Sequence, residues 1–178
     1  MKNRYRRRHS RRHMARGIEG ICISAMTVLF TLLPEAVGTV KADSKSAVLE
    51  QLAARFATVY GLDRALVLER LVQRENLGST GFGRGVAIPH ARIADVERPM
   101  AAFLRLEAPV AFDAADDMPV SLVFGLLSPE QAGVVHLHAL AAISRMMRDD
   151  RMHTALDEAP SDEALYSLIA NVIDRDAG

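Results

Sequence analysis

The sequence predicts an α/β (α+β mixed) fold, a single domain built on a mixed β-sheet flanked by helices on both faces. Three observations lead there. Val120 to Leu127 is a near-continuous apolar run, the pattern of a central strand covered on both sides. Amphipathic stretches of helical period lie both before and after the strand-rich middle of the chain. The chain has 178 residues, 49% of them apolar and 25% charged, which suits one domain with a substantial core plus a short extension.

Taken in order, Leu32-Leu33-Pro34-Glu35-Ala36-Val37 reads as the first piece of the domain. Ser44 is then placed to cap a helix whose apolar stripe is Val48, Leu49, Leu52, Phe56 and Val59, ended by Gly61. Asp63 caps a second helix that runs to about Glu75. Gly78 to Gly85 is a glycine-rich loop, feeding a short strand over Val86-Ala87-Ile88 that stops at Pro89. Met100 to Leu106 alternate weakly and predict another strand, with Pro109 and the Asp113–Asp117 cluster marking a turn. Ser128-Pro129 end the central strand. Three helices follow, over roughly Gly133–Arg148, Asp150–Glu158 and Ser161–Ile173, the last capped by Ser161.

The formal net charge of zero hides an asymmetry. Residues 1–16 hold 8 of the 22 basic side chains and no acid, so the other 162 residues carry 14 basic against 22 acidic groups. Positive charge confined to an arm argues against nucleic-acid binding by the domain, as does an aromatic content of 5%, too low for a base-stacking platform. The single cysteine, Cys22, permits no intramolecular disulfide and no zinc knuckle. The basic run and the apolar stretch Ile21 to Leu33 together look like a secretory leader, and the stretch is too short to span a membrane as a helix. Two other readings are preferred: residues 1–25 are a disordered basic extension, or the start is misassigned and translation begins at Met14 or Met26. Residues 26–178 then form the domain.

Several residues could carry chemistry. His90 follows Pro89, whose fixed φ and missing N–H hold the position of its neighbour, at a strand end where α/β sheets place ligands. A lone histidine is nonetheless more often structural. His136 lines up with Leu140, Ile143 and Met147 on the inward helical stripe, and His138 with Arg145 and Asp149 on the outer face. The two therefore cannot share a zinc ion on a helix, and His136 alone would read as a satisfied core histidine. Arg74 is either a solvated cation at a helix C-terminus or a clamp for phosphoryl oxygens. The glycine-rich loop lacks the lysine and hydroxyl of a phosphate-binding P-loop and precedes its strand, so ATP is unsupported as a donor. Glycines there are otherwise explained by tight turns. Asp113, Asp116 and Asp117 read as solvated turn carboxylates, and no Gly-x-Ser-x-Gly elbow is present.

The stretch from Arg74-Glu75-Asn76-Leu77-Gly78-Ser79-Thr80-Gly81-Phe82-Gly83-Arg84-Gly85 to Val86-Ala87-Ile88-Pro89-His90 resembles the active-site segment of type-2 enzyme IIA proteins of the phosphoenolpyruvate-dependent phosphotransferase system (fructose, mannitol and nitrogen-regulatory). The similarity continues through Pro109 to Ala114, His136 to Leu140 and Ser161 to Tyr166, covering roughly residues 29–173. The Phe-Asp-Ala and His-Leu-His segments are more similar to the nitrogen-related branch than to the sugar-transport components. Ala91 departs from the pattern, since relatives often carry Gly there.

The resemblance implies a phosphohistidine carrier: His90 the phosphorylated nucleophile, His136 the second active-site histidine that orients it or bonds a phosphoryl oxygen, Arg74 the stabilising arginine. In the mechanism this suggests, N–H groups of Gly81, Gly83 and Gly85 hold the equatorial oxygens and Thr80 adds a hydroxyl. The implied donor is a small HPr-like phosphocarrier protein. The implied regulated partners are proteins such as sensor kinases or potassium transporters, with no nucleic acid and no membrane span. No cofactor and no metal are expected, because the donor is a protein phosphoramidate, and the expected location is cytoplasmic. The alternatives are a sugar-specific component serving an enzyme IIB, a regulatory binding module that is never phosphorylated, and a secreted protein.

Overall fold

The computed structural model describes residues 29–94 and 96–176, with the side chains of 174–176 excluded. The basic arm, Cys22 and most of the leader-like stretch lie outside the described residues. The elements are β1 (Thr31–Val40), α1 (Lys45–Tyr60), α2 (Arg64–Asn76), β2 (Gly81–Gly83), β3 (Val86–Ala87), β4 (His90–Ile93), β5 (Met100–Val110), β6 (Val120–Pro129), α3 (Gly133–Arg148), α4 (Asp150–Glu158) and α5 (Asp162–Asp176). They build a six-stranded sheet in the order β1-β5-β6-β3-β2, with β4 also paired to β6. The β5–β6 pair is antiparallel, whereas β1 runs parallel to β5 and both β3 and β4 run parallel to β6. The sheet is therefore mixed, and it carries helices on both faces.

Alternation along β6 explains why its sequence reads as one apolar run. Leu122, Phe124 and Leu126 pack with Phe103, Ile143, Leu156, Leu165 and Ile169 on the α3–α5 side. Val123 and Leu127 pack with Leu49, Leu52, Phe56, Leu71 and Leu104 on the α1–α2 side. Gly125 lies on that second face, where a Cβ would come within 2.6 Å of the Leu52 side chain, so α1 sits close against the sheet.

The helix signals in the sequence act as anticipated. The Ser44 hydroxyl accepts the Ala47 N–H at 3.2 Å, and Gly61 closes α1 with φ at +70°. The Asp63 carboxylate accepts Leu66 N–H at 3.0 Å, and Ser161 accepts Ala164 N–H at 3.2 Å.

Three strand assignments change. The segment around Leu32 to Val37 is part of a ten-residue edge strand, β1, whose register breaks between Leu32 and Val37, where Pro34 sits. An edge strand with a bulge tolerates a proline because no ladder needs its N–H. Pro109 does not mark a turn. β5 continues through it to Val110, which pairs with Val120, past the last β1 partner at Leu106. Finally, the chain does not leave the sheet at Pro89. It breaks pairing there and resumes as β4 along the same side of β6. Among the described residues no helix is long and apolar enough to cross a membrane.

Candidate functional site

β4 positions His90. β3 and β4 both lie along β6, with Ala87 opposite Val123 and His90 opposite Leu126, and the Pro89 carbonyl accepts Leu126 N–H at 3.0 Å between them. Pro89 has no N–H to offer, which accounts for the break. The last turn of α2 brings Arg74 to one side of His90, and the first turn of α3 brings His136 to the other. The two imidazoles lie 5.5 Å apart, tilted by 51°. With Arg70, Gln73, Leu77, Ala91 and Arg92 they line a shallow cleft of about 360 Å³.

Hydrogen bonds settle the tautomer of His90. Its Nδ1 lies 2.8 Å from the Ile88 carbonyl, which can only accept, so Nδ1 carries the proton. The lone pair is then on Nε2, and it accepts the Arg74 Nε–H at 3.0 Å. Burial pushes the proton affinity of His90 below the ordinary histidine value, and the Arg74 and Arg92 cations add to this against the opposing pull of the Ile88 carbonyl and Glu75. The ring is therefore neutral, with a defined nucleophilic nitrogen. The remaining Arg74 contact is Nη1 to the Gly78 carbonyl, at 2.9 Å.

His136 is 5% exposed, and its Nδ1 lies 2.9 Å from the Ser128 hydroxyl. The inward orientation read from helical periodicity is the observed one, and His138 is exposed. Burial, helped by His90, Arg92 and Arg74, pushes its pKa down from 6.5 to about 4. This has a consequence for stability. An unfolded chain binds the proton near pH 6.5 and the folded one only near 4, so the neutral buried ring stabilises the fold fully above pH 6.5 and progressively less as pH falls through that window. Urea melts at pH 7, 6, 5 and 4 should show falling stability, and the non-titrating His136→Gln should lose less over the same range.

Thr80 and Gly81 lie near His90, the Thr80 carbonyl accepting Ile88 N–H at 3.0 Å, but their polar groups are engaged elsewhere, and Gly83 and Gly85 lie away from the imidazole. The Thr80 amide donates to both Glu75 oxygens, at 3.0 and 3.1 Å, and its hydroxyl also donates to that carboxylate. A hydroxyl committed in this way has no proton left for a phosphoryl oxygen. A Cβ on Gly81 would strike Ala114 at 2.8 Å, so this glycine serves close backbone packing. Gly83 and Gly85 form the far end of the β2–β3 hairpin, with φ of +93° and +77°, beside Asp116 and beside Ser121 and His153. Val86 pairs with Leu122 and His90 with Leu126, so Val86 lies about 13 Å down the strand from His90 at roughly 3.3 Å per residue, and Gly85 lies one residue further. The phosphate-cradling role expected for these loop amides is corrected accordingly: they make a turn. Asp116 is not merely solvated either, because its carboxylate takes the Arg84 and Met118 N–H groups, at 2.7 and 3.1 Å, and these bonds hold its pKa below the usual carboxylate range.

Ser128, Glu75, Arg92 and Arg70 belong to the surroundings of the site but were not singled out as site residues in the sequence. Ser128 looked like a strand terminator. Glu75 is 8% exposed and forms an ion pair with Lys45 at 2.7 Å, tying α1 to the end of α2 that carries Arg74. No spacing rule could have found these, since their partners lie on other elements. Among the described residues no three His, Cys, Asp or Glu side chains gather into a set that could hold a metal ion.

Comparison with known proteins identifies the family. The family model for the phosphoenolpyruvate-dependent sugar phosphotransferase system, EIIA 2, matches residues 32–172. The chain is 42% identical over 146 residues to a nitrogen regulatory protein of Bradyrhizobium diazoefficiens, covering 82% of this chain and 95% of the relative. It is 46% identical over 130 residues to a nitrogen regulatory protein of Pseudomonas aeruginosa, covering 72% and 84%. Its fold is similar to the crystal structure of nitrogen regulatory protein IIA-Ntr from Neisseria meningitidis, with a TM-score of 0.73 at 37% identity over 78% of this chain and 95% of the other. With Arg74, His90 and His136 converging on one cleft and a match spanning most of the described residues, the chain belongs to the EIIA type-2 family of the phosphoenolpyruvate-dependent sugar phosphotransferase system.

Proposed function

We propose that this protein is a phosphohistidine carrier of the nitrogen-related kind, which takes a phosphoryl group on Nε2 of His90 from a small HPr-like phosphocarrier in the cytoplasm. The observation that carries the reading is the tautomer of His90: a carbonyl holds the Nδ1 proton, leaving a neutral Nε2 lone pair in an open cleft between a guanidinium and a second imidazole. The nitrogen-related assignment rests on the names of the relatives, whereas partners such as a sensor kinase or a potassium transporter are what the family resemblance implies.

Phosphoryl transfer asks mainly for in-line placement and charge stabilisation. Nε2 attacks the phosphorus as the donor's nitrogen–phosphorus bond breaks. The donor ring leaves as a neutral imidazole when its other nitrogen is protonated, and His90 keeps its Nδ1 proton on the Ile88 carbonyl. Arg74 first has to release Nε2, which turns its fork toward the equatorial oxygens. Where the Ser128 hydroxyl donates to His136 Nδ1, the tautomer of His136 presents Nε2–H as a further donor. Phosphorylation then adds about −1.5 to −2 charges to the cleft, if the group titrates like a phosphoester, enough to alter docking of a partner. Intact-mass analysis after incubation with phosphoenolpyruvate, enzyme I and the carrier tests this. One acid-labile phosphoryl group per chain is expected, and a folded protein that gains none from a charged donor is the contrary result.

A further inference from the structure

We propose that Arg70 is a second phosphate-facing arginine, held in reserve by Glu130 and exchanged onto the phosphoryl oxygens once His90 is modified; the inference rests on the carrier reading above. Arg70 stands one helical turn before Arg74 on α2, so both side chains leave the same face, and both line the His90 cleft.

Their bonding differs. Arg74 uses Nε on His90 and Nη1 on the Gly78 carbonyl. Arg70 reaches Glu130 only at 3.6 Å, between side chains 41% and 48% exposed. That is beyond a normal hydrogen bond, and such exposed pairs hold weakly. Its Nε is buried without a hydrogen-bond partner among the described residues. A guanidinium that is so loosely paired, with one donor shut away from solvent and unused, is poised for a stronger acceptor. A phosphoryl dianion on His90 supplies one, with more charge than a carboxylate and a geometry matched to the guanidinium fork.

The exchange would also change the rim of the cleft. Glu130 lies in the turn between β6 and α3, a few residues along the chain before the exposed apolar side chains Val134 and Leu137 on the first turns of α3. Losing Arg70 would leave the Glu130 carboxylate without its ion pair in that turn, so the rim would differ between the free and phosphorylated forms.

The test compares wild type, Arg70→Ala, Glu130→Gln and Arg151→Ala. Arg151, outside the cleft on α4, controls for the loss of one positive charge. Two quantities are read: phosphoryl uptake at saturating carrier, and decay of the phosphorylated form after the donor is removed. Arg70→Ala is expected to reach full stoichiometry, because His90 and Arg74 remain, with uptake roughly tenfold slower and decay several-fold faster. Glu130→Gln should take up phosphate at least as fast as wild type, and Arg151→Ala should match wild type. Arg70→Ala behaving like Arg151→Ala in both readouts would overturn the proposal. So would equal slowing by Glu130→Gln and Arg70→Ala, which would make the pair a structural brace. Failure of wild type itself to label would instead remove the carrier reading, and this inference with it.

Discussion

His90→Ala abolishes phosphoryl uptake and leaves the protein folded. Covalent transfer needs a nucleophile with an unprotonated lone pair at the reacting position, and Nε2 of His90 becomes that atom once Arg74 releases it. His136 does not substitute for it. Its ring is almost fully covered and its Nδ1 is engaged with Ser128. The fold should survive because His90 lies in the short strand β4 and is only partly buried. Its replacement empties a place beside an existing cleft and leaves the two core clusters intact. Intact mass, with a thermal melt alongside, reads both halves of the prediction. Uptake by a folded His90→Ala at the wild-type level would show that another residue is modified.

Arg74→Ala should slow uptake by about 10²–10³-fold, the usual cost of removing one preorganised donor from a developing negative charge. Arg74→Lys should recover part of the charge and little of the fork. A second readout separates this role from simple packing. Burial is the main reason that His90 resists protonation, and the Arg74 cation adds to it. Without that cation the proton affinity of His90 rises, so the acid-side fall in uptake moves toward higher pH. Single-turnover uptake from pH 5 to 8 should therefore show both a lower plateau and a shifted acid limb. A lower plateau with an unmoved limb would mean that Arg74 does not act on His90 electrostatically.

Much of the framework was legible in the sequence because it depends on local periodicity. The 3.6-residue pattern turned His136 inward, the apolar run of β6 announced a strand covered on both faces, and Ser44, Asp63 and Ser161 marked helix starts. β4 was not legible, since four residues beginning at a histidine after a proline carry too little pattern. The glycine-rich stretch was misread for a different reason. The mechanism that the resemblance suggests placed its amides on the phosphoryl oxygens, yet the β2–β3 hairpin carries Gly83 and Gly85 down the sheet and away from the imidazole. Glu75, Ser128 and Arg70 needed the fold itself, because Lys45, His136 and Glu130 meet them from other elements.

The central claim concerns one atom, Nε2 of His90. Phosphorus and nitrogen-15 magnetic resonance of the chain, labelled from phosphoenolpyruvate through enzyme I and the carrier, tests it most directly. The account predicts a single phosphohistidine with phosphorus on Nε2 and the proton retained on Nδ1, where the Ile88 carbonyl holds it. A phosphoryl group on Nδ1, or on any residue other than His90, would contradict it.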